Sequence, residues 1–356
     1  MKKFMFLVLA SAFMFACSDN EDPAPNVDNG IPEGSVAFDI SAVNSLEDGM
    51  SRSGIYSQEA TQHVTNVVVY AFAKSGSDYT YTKTYTITGW SDGTTFKRYI
   101  VADGDKLSAN EYYFLAVGRD ATDNFTLTTP AVGDSYTTME ASITANGMEK
   151  EIFAGNSTAT VTDQGSRVSI NMTRKVAGIM GYFKNVPQTL NGQTVQFLRL
   201  GISNANQQVN LNNGVGINTA PTTYNIINMD LSAQSVANGV YTGNDLSSQG
   251  VVKVPNSQLD GSFFMPVSNV TLTLGLYAAD GTAIKTWTVK DTLGNSTFNI
   301  LANNFYSLGT KVQAGNVNGG TSDPGDDDNP IDLLTDQNII ISISPAWELI
   351  HNLIIQ

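Results

Sequence analysis

The 356-residue chain has little of what most catalytic and metal sites require, since it contains one cysteine and two histidines. The single cysteine, Cys17, can form neither an intramolecular disulfide nor a cysteine-based zinc site. A Ser-His-Asp triad or a histidine-rich metal site would have to use His63 or His351, and neither has a nucleophile motif or metal-ligating partner near it in sequence. The acidic pair Asp103 and Asp105 is compatible with a hydrolase but equally typical of a turn. We therefore predict no catalytic residue, metal or cofactor.

Charge is also scarce, and it is unevenly distributed. Charged residues make up 15% of the chain, where globular proteins average about 25%, and 33 acidic against 19 basic residues give a net charge of −14. Nearly all of this excess lies at the ends: residues 1–51 carry −6, and residues 317–356, which contain no basic residue, carry −7. No segment has the Lys/Arg cluster that nucleic-acid binding requires. We predict no nucleic-acid partner, and terminal segments that differ from a nearly neutral body.

The N-terminus resembles a bacterial lipoprotein signal. Two lysines precede an apolar run over 4–16, which is too short to span a bilayer as a helix but has the length of a signal-peptide core. The run ends in a small residue followed by Cys17, which is the position at which such signals are acylated. Acyl chains contribute ~0.8 kcal/mol per buried CH₂ to membrane anchoring. An ordinary secretory signal with an incidental cysteine is the alternative. We predict a signal peptide over 1–17 and an acidic, proline-containing linker over 18–34.

Between the two ends, apolar residues alternate with polar ones at a period of two. Residues 79–88 alternate aromatic or long side chains with threonine, and residues 270–278 place their aliphatic side chains on one face. No convincing amphipathic helix exceeds about a dozen residues, and turn dipeptides separate the runs. These Asx-Gly dipeptides are Asp92-Gly93, Asp103-Gly104, Asn146-Gly147, Asn191-Gly192, Asn213-Gly214, Asn238-Gly239 and Asp280-Gly281. The pattern predicts an all-β protein of two tandem antiparallel β-sandwiches, over 35–174 and 175–314.

The first predicted strand of the body is followed by a conspicuous arginine. Its apolar face consists of Val36, Phe38, Ile40 and Ala42. The loop over 46–54 contains Arg52, the first basic residue after the N-terminal lysines. An arginine in a polar, glycine-flanked loop is a preferred site for an Arg-specific protease, although a solvated loop arginine is the simpler alternative.

The C-terminal region combines an acidic linker with an apolar appendage. Residues 315–337 are rich in Gly, Asn and Asp, and three consecutive aspartates there, 326–328, do not match the spacing of a calcium loop. Residues 338–356 form a predicted pair of strands. The apolar face of the first consists of Ile339, Ile341 and Ile343, and that of the second includes Trp347, Leu349 and Leu353.

An exposed apolar strand is a template for pairing, so this appendage has to dock on its own body or on another molecule. Its alternation repeats that of Val36, Phe38 and Ile40. If the first strand were cut off after Arg52, the vacated edge would accept a strand with the same pattern by β-strand addition. Head-to-tail donation between subunits would generate a filament.

In their order along the chain, these segments resemble the fimbrillin family of Bacteroides-type bacteria, the FimA- and Mfa-like fimbrial subunits. The segments are Cys17, the early strand with Arg52, 64–73, 166–183, 303–312 and 339–356. The resemblance implies two transthyretin-like sandwiches and a lipidated precursor anchored in the outer membrane and displayed at the cell surface. It further implies that an Arg-specific protease cuts at Arg52–Ser53 and removes residues 35–52.

By the same resemblance, the subunit polymerises with copies of itself or related fimbrial subunits by donor-strand exchange and supports adhesion. The appendage over 338–356 would be the donor strand, as in a shaft or shaft-like accessory subunit. A surface glycan-binding β-sandwich lipoprotein is the alternative interpretation. In that case Trp90 and Trp287 would be platforms on which sugars stack, unless both are packed in the interior.

Overall fold

The computed structural model is an all-β protein, as the sequence predicts. It describes residues 30–42, 63–91, 93–217, 221–249, 251–311, 328–345 and 347. These ranges contain β-strands, no α-helix and short 3₁₀ turns at Asp103–Asp105, Tyr136–Thr138 and Ser247–Gln249. Within them, no helix has the length and apolar character needed to cross a membrane.

The first half of the chain forms two facing sheets. Its strands are β1 (Val36–Ala42), β2 (Asn66–Ser75), β3 (Asp78–Thr86), β4 (Phe96–Ile100), β5 (Asn110–Arg119), β6 (Thr126–Leu127), β7 (Glu140–Ser142), β8 (Ile152–Val161) and β9 (Ser166–Arg174). One sheet has the order β3-β2-β5-β8 and the other β4-β1-β9, and a short pairing of β8 with the end of β9 connects them. Phe38 and Ile170 from one sheet meet Val69 and Phe114 from the other in a common core.

The second half forms a second sandwich. Its strands are β10 (Ala177–Lys184), β11 (Thr189–Leu190), β12 (Gln193–Thr194), β13 (Phe197–Ala205), β14 (Gln208–Asn210), β15 (Gly216–Ile217), β16 (Thr222–Asp230), β17 (Val236–Ala237), β18 (Val240–Tyr241), β19 (Ser257–Phe264), β20 (Val267–Val270), β21 (Leu272–Tyr277), β22 (Ala283–Thr288), β23 (Phe298–Ile300), β24 (Phe305–Leu308), β25 (Ile331–Asp332) and β26 (Ser342–Ser344). One sheet has the order β19-β10-β24-β26 and the other β16-β13-β21-β22. Alternate residues such as Leu198 and Leu200 of β13 and Leu274 of β21 fill the core between them.

The Asx-Gly dipeptides form hairpins only where the two flanking strands are neighbours. Asn191 and Gly192 join β11 to β12 with φ angles of 52° and 78°, and Asn238-Gly239 does the same between β17 and β18. Both central residues therefore lie in the left-handed region that tight hairpins require. Asp103-Gly104 forms a 3₁₀ turn instead, because β4 and β5 belong to opposite sheets and the chain has to cross between them.

The two halves are joined by a small sheet that takes strands from both. It has the order β15-β14-β7-β6, and Ala141 of β7 lies opposite Val209 of β14. Beneath it, Met139 and Val209 pack with Phe72 and Leu115 on the outer face of the β3-β2-β5-β8 sheet. The chain passes from β9 to β10 at Arg174–Ala177, close to the predicted division, but the two sandwiches share a continuous apolar contact.

The acidic linker predicted over 315–337 ends earlier than its composition suggested. Residues 328–337 pack against the second sandwich, where β25 pairs in parallel with β10 and Leu333 is buried. The carboxylate of Asp328 lies 2.8 Å from Lys311 Nζ, and both side chains are buried. An acidic residue with a buried cationic partner belongs to the body, which composition alone does not reveal.

Candidate functional site

The strand β1 lies in the middle of its sheet, although it is the first strand of the described chain. Its backbone pairs antiparallel with β4, where Phe38 lies opposite Tyr99, and parallel with β9, where Phe38 lies opposite Val168. At one end of the strand the Val101 N–H donates to the Val36 carbonyl at 2.8 Å. Both edges of β1 are therefore engaged, and all its strand partners lie more than 50 residues away in sequence.

One face of β1 fills the core of the first sandwich. The side chains on that face, all buried, are Val36, Phe38, Ile40 and Ala42. The Phe38 ring lies 5.2 Å from the ring of Phe114 and 5.5 Å from that of Tyr85, in edge-on and tilted arrangements. Burying a large apolar side chain contributes about 1.5–3 kcal/mol, so β1 contributes substantially to the stability of this sandwich.

The opposite face of β1 carries a carboxylate held by two arginines. Arg98 of β4 donates from Nε to Asp39 Oδ1 at 2.7 Å and from Nη2 to Oδ2 at 2.9 Å, and Arg167 of β9 donates from Nε to Oδ2. Hydrogen bonds from Arg98 lower the pKa of Asp39, and those from Arg167 add to the effect against the opposing influence of burial. The sequence places Asp39 on the polar face, but strand order is needed to identify its partners.

Five predicted site residues lie outside the described residues. They are Cys17, Arg52, Ser53, Leu349 and Leu353. The lipidation site, the cleavage site and the second half of the donor strand therefore stay predictions.

The apolar C-terminal segment lies on the second sandwich of its own chain. Ile339 and Ile341 are buried in the core, while Ile343 is partly exposed. Lys290 donates its N–H to the Ile339 carbonyl at 2.9 Å and accepts the Ile341 N–H at 2.8 Å. Farther along, β26 pairs antiparallel with β24 through three residue pairs at the edge of the sheet. The segment thus covers an edge and part of the core of its own subunit.

Trp347 packs where the two sandwiches meet. Its indole lies over Gly178 of β10, where an added Cβ would approach the ring to 2.4 Å, and its ring centroid is 4.9 Å from that of Phe305. The guanidinium carbon of Arg174, the last residue of β9, lies 4.1 Å from the indole. Arg174 is itself paired with Glu151 at 2.7 Å in a buried position. The C-terminal segment therefore contacts a residue of the first sandwich through this indole.

The described residues do not assemble a metal site, and the acidic pair Asp103 and Asp105 lies exposed at a turn. No group of three His, Cys, Asp or Glu side chains within them could hold a metal ion. The backbone N–H of His63 donates to Glu151 Oε2 at 2.9 Å. Asp103 and Asp105 each form an ion pair with a lysine, at 3.1 Å and 2.6 Å.

The two tryptophans considered as sugar platforms are packed inside the sandwiches. Trp90 belongs to the core of the first and Trp287 to that of the second, and each is 7% exposed. Lys285 Nζ lies 4.4 Å from the ring centroid of Trp287. Neither indole presents an open face on which a sugar could stack.

Comparisons with known proteins place the chain among fimbrial proteins. A family model described as "Fimbrillin-A associated anchor proteins Mfa1 and Mfa2" matches residues 42–351. Among solved structures, similarity is found to a putative cell adhesion protein from Bacteroides eggerthii, with 14% identity, coverage of 90% of this chain and 98% of that one, and a TM-score of 0.45.

Two proteins from Porphyromonas gingivalis are also similar. One is a fimbrilin, with 15% identity, 87% and 97% coverage of this chain and that one, and a TM-score of 0.44. The other is the fimbrial anchor protein Mfa2, with 12% identity, 77% and 90% coverage, and a TM-score of 0.43. Among curated proteins, none matches the chain.

Proposed function

This chain belongs to the family of the fimbrillin-A associated anchor proteins Mfa1 and Mfa2, and we propose that it is a structural subunit of a cell-surface fimbria that exchanges β-strands with neighbouring subunits and supports adhesion. The observation that carries the proposal is the position of β1. It is central in its sheet, it fills the core with one face, and the sequence that follows it contains Arg52.

Proteolysis after Arg52 would turn β1 into a separate peptide. Its described residues are held by two backbone ladders, four core side chains, the Asp39 ion pairs and further hydrogen bonds such as that from Ser35 Oγ to the Val101 carbonyl. Once β1 leaves, β4 and β9 each present an unpaired edge beside an apolar cleft, which is the kind of surface to which an extended strand adds. Strand addition from a second subunit would restore the ladders and the core.

We assign the donor role to the C-terminal segment, whose position on its own sandwich would then be a closed form. Release would expose Ile339, Ile341 and Trp347, at about 1.5–3 kcal/mol each. Apolar side chains of the released segment would be buried again in the slot that β1 vacates between β4 and β9 of a neighbour, which offsets part of this cost. Because donor and acceptor sites differ, the contact is head-to-tail and builds a filament.

Before assembly, we propose that the precursor is acylated at Cys17, anchored to the outer membrane and displayed at the cell surface. This rests on the signal-like sequence that precedes the only cysteine. Metabolic labelling with palmitate is expected to mark the wild-type chain and not a Cys17→Ser variant. Labelling of the Cys17→Ser variant would place the lipid elsewhere.

Strand exchange is tested with the chain beginning at Ser18 and an Arg-specific protease. After cleavage at Arg52 the wild-type protein is expected to lose β1 and to form a ladder of SDS-resistant oligomers. The matched control, Arg52→Gln, removes the proposed cleavage site, so it is expected to stay monomeric under the same treatment. A wild-type protein that loses the N-terminal peptide and stays monomeric would contradict the proposal.

A further inference from the structure

Asp39 is the only charged residue of β1, and it is nearly inaccessible at 4% exposure. The arginines that bind it are 37% and 50% exposed and belong to the strands on either side. Within the described part of the chain, neither Arg98 nor Arg167 has another carboxylate partner. Both arginines stay with the body when β1 leaves, so the empty slot would hold two guanidinium groups that have lost their shared anion.

Apolar alternation alone does not fix the register of a strand entering this slot. A slip by one residue turns the apolar side chains outward, which the core would reject. A slip by two residues keeps them inward and is penalised much less. The same slip moves every outward side chain by about 6.8 Å along the strand, beyond hydrogen-bonding reach of a fixed arginine. A carboxylate opposite Arg98 and Arg167 therefore distinguishes registers that the core does not.

We infer that the slot recognises its occupant by a carboxylate: the strand that replaces β1 is a segment of another subunit with apolar residues at alternate positions and an acidic residue where Asp39 lies, between the positions of Phe38 and Ile40. This inference rests on the strand exchange proposed above and adds the chemistry by which the partner is selected. An arginine pair suits this task because guanidinium groups donate in a planar fork that matches a carboxylate.

The requirement for an acidic residue at the Asp39 position determines which part of the C-terminal sequence fits the slot. The run Ile339–Ile343 has Ile340 and Ser342 at its intervening positions, and neither is acidic. Glu348, between Trp347 and Leu349, provides an acid in the required context. Asp332 also lies between two apolar residues, but its carboxylate already accepts a hydrogen bond from Asn185 at 2.8 Å. A second copy of this chain would therefore donate in the register that places Glu348 between the two arginines.

Labelled peptides test the inference without any substitution in the protein itself. The chain from Ser18 is cleaved with an Arg-specific protease in the presence of an excess of a biotinylated peptide with the sequence of residues 35–43. The Asp39→Asn form of the peptide has the same size and apolar face and is the matched control. Because hydrogen bonds to a charged group exceed those of a neutral amide, we expect the aspartate peptide to be retained about 10-fold better.

Two further comparisons complete the experiment. In an Arg98→Gln/Arg167→Gln protein the preference between the two peptides is expected to disappear, and a peptide of residues 343–351 is expected to lose binding to the wild-type protein when it carries Glu348→Gln. Equal retention of the aspartate and asparagine peptides by the wild-type protein would overturn carboxylate recognition while leaving strand exchange intact. If the cleaved protein retains no peptide at all, the proposal that a strand replaces β1 is wrong.

Discussion

At the scale of single residues, Asp260 is a carboxyl group whose burial makes stability depend on pH. It lies on β19 opposite Gly181, and its Oδ1 accepts the N–H of Gly261 at 2.9 Å. Burial raises its pKa to about 6, and the hydrogen bond from Gly261 opposes this only in part. The folded protein therefore holds the proton more tightly than the unfolded chain. Its free energy of unfolding should rise as the pH falls from about 6 to about 4.

We predict that Asp260→Asn increases the free energy of unfolding at pH 7 by up to ~3 kcal/mol, because the variant carries no charge at this half-buried position. Below pH 4 the gain should vanish, since the wild-type carboxyl is then protonated in both states. Urea unfolding at a series of pH values measures this. Asp280→Asn is the control: hydrogen bonds from Thr282 lower the pKa of Asp280 in an exposed turn, so its loss should bring no gain. If the difference in free energy of unfolding between Asp260→Asn and the wild-type protein does not change between pH 4 and pH 7, the prediction is wrong.

These residues show how far sequence reasoning reaches at this scale. Alternation correctly separates Asp39 from Phe38 and Ile40 on β1, because a strand places successive side chains on opposite faces. The two arginines that bind Asp39 lie 59 and 128 residues away, and only strand order brings them together. The raised pKa of Asp260 depends on what covers it, for which a single sequence gives no signal.

At the scale of elements, the C-terminal segment depends on a glycine in the strand beneath it. Gly178 is the second residue of the buried strand β10, where composition suggests no special role. Its missing side chain leaves room for the indole of Trp347 close to the backbone, and the guanidinium group of Arg174 packs against the same ring. The pattern of the segment was visible in the sequence, but its docking on its own sandwich required the positions of β10 and β24.

We predict that Gly178→Ala displaces Trp347 and loosens the closed form of the C-terminal segment, because the new Cβ would approach the ring to 2.4 Å. Acrylamide quenching of tryptophan fluorescence should increase relative to the wild-type protein, and ladders should form faster after cleavage at Arg52. Gly104→Ala provides the control, since an added Cβ there meets no atom within 4 Å. Unchanged quenching would mean that the backbone adjusts without moving the indole.

At the scale of the whole molecule, the two sandwiches are coupled through the small sheet that they share. The sequence predicts two tandem units with a short passage between them, and in the structure β9 ends at Arg174 and β10 begins at Ala177. It did not predict that β7 and β14, from different halves, would pair. Two- and three-residue strands in a loop-rich stretch carry no clear alternation, and their pairing is determined by the apolar surface they cover.

Because this interface is apolar and continuous, we predict that the two sandwiches unfold in one cooperative transition, with equal calorimetric and van't Hoff enthalpies. Val209 of the shared sheet is fully buried in this apolar cluster. Val209→Asp would place an unpaired charge there, which is expected to cost several kcal/mol and to split the heat-capacity peak into two. Val236→Asp, at a partly exposed position in the β17–β18 hairpin, introduces the same change in charge and is expected to leave a single peak. Two separate peaks in the wild-type protein would show that the halves fold independently and that the shared sheet is only a contact between them.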